Sequence, residues 1–431
     1  MRTWADLKST WAAVGSTWQS IFLDPVVPSG SNVTVELGVQ RAFILDDSIA
    51  GIIGGTDYVL SGEEFVDITS FAYSISTSRG KNTELDKYKA GSINVSLHNQ
   101  NRFFDPDYIE SPFSGELVPR RGIRVLVDSV PIITGRVADW NLNYAPGNDA
   151  DATVSGIDNF SLLANQVLTA GTAISETTGQ RITRVLDMAS VDWPTDDRLI
   201  DTGQSTLGLQ VLDGTENALS YLQEVELSEI GGSMFISREG YLTFRDRTAT
   251  PQVDNAVTFA DDGTGIPFQS IEIDYGSENL YNQITVTSAA GTAIGNDSLS
   301  QSQYGISAAS YDTLLSTEAQ VTNAATFLIG RYSRPVLRVS SLTVNLNSLS
   351  RADQSTILGL ELADVAKIIY TPNGVGDPVE KNGLIIGIDH AIGVSRHDVT
   401  LKFAPVQTNV FIIGDPEFGI IGIDAPGVLG F

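Results

Sequence analysis

From Val33 onward the chain alternates apolar and polar residues with a period of two, in short runs cut off by Gly, Asp and Asn. That period places successive side chains on opposite faces of a strand, so each run reads as a strand with one face buried. Eight such runs precede Asp158: Val33–Leu37, Phe43–Asp47, Tyr58–Gly62, Val66–Ser76, Ile93–Leu97, Ile123–Val127, Pro131–Val137 and Ala152–Asp158. Runs this short and this closely spaced leave little room for crossover helices, which parallel sheets require. The forty glycines supply the turns. An antiparallel barrel or sandwich over residues 33–165 follows, closed by a helical turn at Asn159–Asn165.

The pattern then changes. Thr178–Ala189 carries Ile182, Val185, Leu186 and Met188 at helical spacing, and Thr215–Glu229 carries Ala218, Leu219, Leu222 and Val225. Gly231-Gly232 ends the second helix, and a hairpin follows across Arg238-Glu239-Gly240. Residues 166–267 therefore read as a small α+β insertion. From Phe268 to Val406 strands return, in a second block interrupted by a helix at Thr317–Tyr332. The Ser-, Gln- and Asn-rich stretch Gly295–Ser307 is expected to be a mobile connection, and Gly393-Val394-Ser395 the turn of a hairpin. The expected fold class is mainly β, with two antiparallel tube-like domains flanking the insertion.

Both ends of the chain differ from its body. Residues 2–22 place Trp4, Leu7, Trp11, Val14, Trp18 and Ile21 at steps of three and four, the seam of an amphipathic helix, before a linker ending at residue 32. Two or three heptads are too few to stand alone. The helix either packs on its own domain or serves as an association helix. Residues 407–431 form an apolar, glycine-spaced tail with Phe411, Phe418, Leu429 and Phe431. Its segment Phe411–Gly422 aligns without gaps with Phe43–Gly54. Segments of this kind suit pairing along a sheet edge, in the same chain or in a neighbour.

Composition removes several function classes. There are no cysteines, so no disulfide framework and no thiolate metal site. The three histidines are too few and wrongly spaced for the usual zinc signatures; His390 and His397 are expected at the surface. Phosphate-cradling glycine motifs and a Gly-x-Ser-x-Gly elbow are missing. Carboxylate pairs such as Asp46-Asp47, Asp196-Asp197 and Asp261-Asp262 are uninformative in a chain with 52 acidic residues. Asp105-Pro106-Asp107 lacks the glycine and terminal glutamate of a calcium loop, and turn capping accounts for Asp105. No enzyme, cofactor or metal site is expected. The net charge of −26 opposes binding to nucleic acid or to an anionic membrane. It suits a surface past which DNA slides, as well as plain solubility. No apolar run of about 18 residues is present, so no membrane span is expected. Trp4-Ala5-Asp6-Leu7-Lys8 breaks any apolar core of signal-peptide type, and the chain reads as a soluble protein made in a cytoplasm.

The stretch Asn99–Val127 stands apart. Its front half combines Asp105-Pro106-Asp107, Ser111-Pro112 and Gly115 with Phe103, Phe104, Tyr108 and Phe113: turn chemistry with its own aromatic anchor. Its end holds a basic cluster, Arg120, Arg121 and Arg124, suited to ion pairs across a subunit boundary or to a solvated strand end. The order Asn99-x-x-Arg102-x-Phe104-Asp105-Pro106, then Ser111-Pro112-Phe113-x-Gly115-x-Leu117-x-Pro119-Arg120-Arg121-x-Ile123-x-Val125, then Gly135-Arg136-Val137-Ala138-Asp139-Trp140, resembles minor tail proteins of long-tailed phages infecting actinobacteria. The resemblance covers about residues 33–431, and within that group it is similar to the tail-tip or baseplate hub. It implies a non-enzymatic virion protein at the tail tip, assembled in the host cytoplasm. In such hubs two tube-like barrels per chain let a homotrimer present six barrels to the sixfold tail. It implies as partners the distal tail protein ring, the tape-measure protein, other minor tail proteins and passing DNA, which is not bound specifically. The alternative reading is a receptor- or carbohydrate-binding tail protein, which would show an exposed cleft lined by aromatics and amides.

Overall fold

The computed structural model describes residues 32–39, 64–145, 149–249 and 255–406. The N-terminal helix with Trp4, Leu7, Trp11, Val14 and Trp18, both copies of the repeat, and the tail with Phe411, Phe418, Leu429 and Phe431 lie outside the described residues.

Within them, both strand-rich blocks are present, and they are joined edge to edge. Thirteen strands form the main sheet. The first block supplies β1 (Val33–Val39), β2 (Glu64–Asp67), β3 (Ala72–Gly80), β4 (Lys89–His98), β5 (Gly122–Val127), β6 (Val130–Ala145) and β7 (Asp149–Ile157). The second supplies β8 (Val257–Ala260), β9 (Ser270–Asp274), β10 (Arg338–Asn345), β11 (Val365–Tyr370), β12 (Val379–Gly393) and β13 (His397–Pro405). β8 falls within the stretch 166–267, so the main sheet takes a strand from inside the span read as insertion.

The spatial order is β9-β10-β13-β12-β3-β4-β7-β6-β5-β1-β2, with β11 beside the first half of β12 and β8 beside β11. Taken separately, the blocks have the same order. The first reads β3-β4-β7-β6-β5-β1 and the second β9-β10-β13-β12-β11-β8, strand for strand in the same chain sequence. All neighbours are antiparallel except β8 and β11, which run parallel. Even the irregularities match. β6 shifts register between Val137 and Asp139, and β12 between Ile385 and Gly387, each against the strand that follows it. A bulge bends and twists its strand, so matched bulges give the two long strands matched shapes.

Period-two patterning explains the core. On β4, Ile93, Val95 and Leu97 are fully buried, while Asn94 between them is exposed. The buried face continues through Ile75, Val154, Leu342 and Leu401. The insertion covers part of this apolar face. Its helix Thr178–Leu186 starts with a capping box between Thr177 and Gln180, and its second helix, Ala218–Ser228, packs Leu222 and Val225 inward. Arg181 is fully buried there, donating to Glu176 (2.6 Å), the Tyr221 hydroxyl (2.7 Å) and the carbonyls of Ile174 and Gly208 (2.6 and 2.9 Å). A buried cation with this many acceptors is compatible with a folded core, where an unpaired one is not.

A second mixed unit lies between β9 and β10. The helix Glu318–Tyr332 packs Val321, Ala325 and Leu328 on Ile284 and Val286 of a three-stranded sheet. The stretch Gly295–Ser307, expected to be a mobile connection, instead contains the helix Ser298–Tyr304. Asp297 caps it by accepting from the amides of Leu299 and Ser300, and Asn282 ties its end by donating to the Gly305 carbonyl at 2.7 Å. Polar composition here marks capping chemistry, not disorder.

The blocks meet where the second half of β12, Gly387–Gly393, pairs with β3. Gly80 stands opposite Gly387 with a φ of +92°, and a Cβ on it would lie only 2.2 Å from the Ile386 carbonyl oxygen. A Cβ at Gly387 would meet the Lys81 carbonyl at 2.7 Å. Two backbones approach here as only glycine allows. Gly80→Ala should therefore cost roughly 2–4 kcal/mol, from left-handed strain plus overpacking. The midpoint of urea unfolding measures this; a change within about 0.5 kcal/mol would show that the seam can relax.

Candidate functional surface

The sheet has two chemically distinct faces. Partners across the strands share a face, and one largely polar row runs through both blocks. It reads Asn345, Asp398, Ala391, Ser76, Asn94, Ser155 and Asp139 from β10 to β6. The next contains Ser74, Ser96, Thr153 and Asn141. Ser74, Ser76, Asn94 and Ala391 are exposed. The face carries carboxylates at Asp139, Asp151, Asp389, Asp398 and Glu272, and Lys402 is held 2.6 Å from Asp389. Small hydroxyl and amide side chains with scattered carboxylates make a hydrated surface that repels phosphate.

The stretch Asn99–Val127 borders this surface as a series of turns. The amides of Arg102, Asp105, Tyr108, Ser111 and Ser114 each donate to the carbonyl three residues back. Phe104 anchors the series: its ring is fully buried 5.4 Å from Phe113 and 6.0 Å from Trp140, with Phe71 edge-on at 5.2 Å. Asp105 accepts from the Tyr144 hydroxyl (2.7 Å), from Arg102 (2.7 Å) and from the Asp107 amide (3.0 Å). The Tyr144 bond leads in holding its carboxyl below the usual range. Asp105 thus ties the loop to β6.

The three arginines of the basic cluster are placed differently from one another. Arg124 pairs with Glu36 and covers the Phe65 ring at 4.0 Å; Arg121 pairs with Glu116 at 2.9 Å; Arg120 is exposed at a φ of +71°. Two of them are therefore engaged within the chain, and only Arg120 presents its side chain outward.

His390 and His397, expected at the surface, are buried, with 6% and 0% of their surface exposed. Each sits on the core-facing side of the hairpin β12–β13, and their rings meet at 3.0 Å between Nδ1 of His390 and Nε2 of His397. Burial, then the neighbouring His397 and Arg79, pushes His390 well below the imidazole range; burial lowers His397 to about 4. A neutral pair satisfies one shared hydrogen bond, which a doubly charged pair cannot. Charge elsewhere at the junction is compensated. Buried Arg79 of β3 reaches Glu361 at 2.7 Å, and Glu361 also accepts from the Arg238 amide of the insertion at 3.0 Å. Glu84, in the β3–β4 loop, pairs with Arg331 and accepts from the Tyr332 hydroxyl at 2.9 Å. These contacts tie the first block to everything that follows it. Sequence reasoning misses all of them, because each joins residues more than 120 positions apart.

No protein-family model and no curated protein sequence matches the chain. Among solved structures, a tail protein from Neisseria meningitidis MC58 superposes with a TM-score of 0.56 at 12% identity, over 87% of this chain and 96% of that one. The 43 kDa tail protein of prophage MuSo2 from Shewanella oneidensis gives 0.55 at 14% identity, over 86% and 96%. The chain has the fold of these tail proteins along nearly their whole length.

The histidine pair has a testable consequence. Both folded values lie below the unfolded imidazole value of about 6.5, so its contribution is intact above that pH and is lost as pH falls toward 4. Asp158, pushed up to about 7 by burial, acts in the opposite direction over the same interval. The informative quantity is therefore a difference between proteins. His397→Gln should be about 1–2 kcal/mol less stable than the parent at pH 8, with the deficit shrinking by about pH 4.5. A deficit independent of pH would mean that the folded pair takes up protons as the unfolded imidazoles do, with no shift on folding.

Proposed function

We propose that this protein is a structural component of a phage tail tip, the hub at which the tail tube ends. The observation that carries this reading is the repetition of one strand order within one chain. Two near-equivalent blocks per chain allow three chains to present six similar surfaces upward, to a sixfold ring of distal tail protein. The insertions, which differ between blocks, present three unlike surfaces to the other minor tail proteins below. The fold shared with tail proteins of Neisseria and Shewanella origin supports this, as does the sequence resemblance to hubs of long-tailed actinobacterial phages.

On this reading the polar face of the main sheet lines the channel. Its serine, threonine and asparagine rows offer hydrogen bonding that water satisfies equally well, and its carboxylates repel phosphate. The tape-measure protein would leave through this channel first, and DNA would follow without adhering. The hub then acts by geometry and by electrostatic indifference to its cargo, and needs no covalent chemistry.

Light scattering of the purified protein tests the assembly: the expected mass is three times the 46.2 kDa of one chain. A folded monomer at all concentrations would remove the hub reading and favour a recognition protein mounted on the tail. Duplex DNA offered at low ionic strength, where non-specific binding is strongest, should show no retardation. Retardation that disappears with salt would contradict the channel role assigned to the polar face.

A further inference from the structure

The seam inside the chain has a counterpart that the chain cannot complete by itself. β12 pairs through its first half with β11 and through its second half, beyond the bulge, with β3. β6 occupies the same place in the first block. Its first half pairs with β5, but its second half, Asp139–Ala145, is paired only on the β7 side among the described residues. The first block's β3 likewise corresponds to β9, which is paired only with β10 among the described residues. Among the described residues two unpaired edges thus remain, and they are the equivalents of the two that join in the middle of the chain.

We infer that Asp139–Ala145 of β6 pairs antiparallel with β9 of a second copy of this chain, repeating between chains the β12–β3 seam formed within one. This rests on the hub reading above and adds the residues through which the copies join.

The internal seam sets the register. There Gly387 stands opposite Gly80, Ile388 opposite Arg79, His390 opposite Thr77 and Ile392 opposite Ile75. β6 and β12 are equated by their bulges, β3 and β9 by their pairings: Ile75 opposes Val95 of β4 as Ile271 opposes Leu342 of β10. The local sequences agree, since Ile75 and Gly80 of β3 recur with the same spacing as Ile271 and Gly276. Carried across, Trp140 faces Tyr275, Leu142 faces Ile273 and Tyr144 faces Ile271, on the side turned to the core. At the internal seam the corresponding six positions are at most 6% exposed. In the single chain Tyr144 is 49% exposed, Ile273 36% and Tyr275 66%. Apolar side chains left half in water at positions buried elsewhere in the same fold mark a surface awaiting its cover. On the polar side, Asn143 meets Glu272 and Asn141 meets Asp274, so amides face carboxylates and no like charges oppose. The two patches differ, so the contact is head-to-tail and closes into a ring when the rotation permits.

The glycines give a further sign. A Cβ on Gly80 would strike the Ile386 carbonyl at 2.2 Å, whereas one on Gly276 meets nothing within 4 Å. The space beside Gly276 is what the next copy's β6 would occupy.

The chain has no cysteines, so engineered ones report without interference. Full-length Asn143→Cys and Glu272→Cys proteins, mixed and assembled, should form a disulfide-linked pair of chains on oxidation, because directly opposed residues bring their Cβ atoms within about 4.5–5.5 Å. Neither variant alone should form it. Gly276→Val should melt with the parent protein as a single chain, yet need at least about tenfold more protein to assemble. An assembly of the expected mass with no cross-link, or one that Gly276→Val leaves unchanged, overturns this seam while the hub reading stands. A chain monomeric at every concentration overturns both.

Discussion

The close approach of β3 and β12 is the constraint on which the rest of this structure depends. Two backbones meet at Gly80 and Gly387 with no room for a side chain, and that contact fuses two six-strand arrangements into one sheet. Hydrogen bonding along the seam fixes register, and register decides which face each residue of the second block presents. A slip of one residue would turn His390 and Ile392 toward water and bring Asp389 and Ala391 into the core. Buried Arg79 with Glu361, and Glu84 with Arg331, sit around this seam and hold the insertion and the second mixed unit in place. The desolvation that such buried ion pairs require offsets much of their Coulombic attraction.

On the proposed reading, the duplicated strand order lets one chain serve a symmetric assembly without being symmetric itself. Elements that match between blocks, above all the long bulged strands β6 and β12, are those with a repeated structural task. The elements that differ are insertions: a turn series after β4, a helical connection after β10, a short charged loop after β3, and a whole α/β unit after β9. Loops tolerate such divergence because they sit on the surface of a scaffold that pairing has already fixed. If the protein acts as the proposed hub, its function resides in where its surfaces point, and the chemistry that matters is hydrogen bonding and solvation.

The strands of the main sheet are largely legible in the sequence. Alternation in Ile123–Val127, Val365–Tyr370 and Asp398–Phe403 places strands within a residue or two of where they lie, as does the helical spacing in Thr317–Tyr332 for its helix, while Ile93–Leu97 marks its strand but starts four residues late. The errors have local causes. Ser298–Tyr304 is polar almost all round and carries no apolar stripe, so its helix depends on the Asp297 cap and on tethering by Asn282. The histidines are misplaced because polarity is a poor guide to burial when a partner of the same kind lies across a hairpin. The candidate surface is less legible still. The basic cluster is visible, but two of its arginines are occupied by Glu36 and Glu116, and neither pairing can be inferred from spacing.

What the sequence determined by itself was the inventory: short amphipathic strands, the insertions between them, an acidic and cysteine-free surface, and the turn-rich stretch that carries the resemblance to tail proteins. Each of these follows from local pattern, in which a residue's neighbours in the chain are enough to predict its behaviour. Only the tertiary structure decided that the two blocks share one strand order, that they fuse through β3 and β12, and that two equivalent edges are unpaired among the described residues. Strand pairing joins residues hundreds of positions apart, and the free energy that selects a pairing comes from side chains meeting across strands. No local pattern contains that information, because it is a property of the sheet and not of any strand within it.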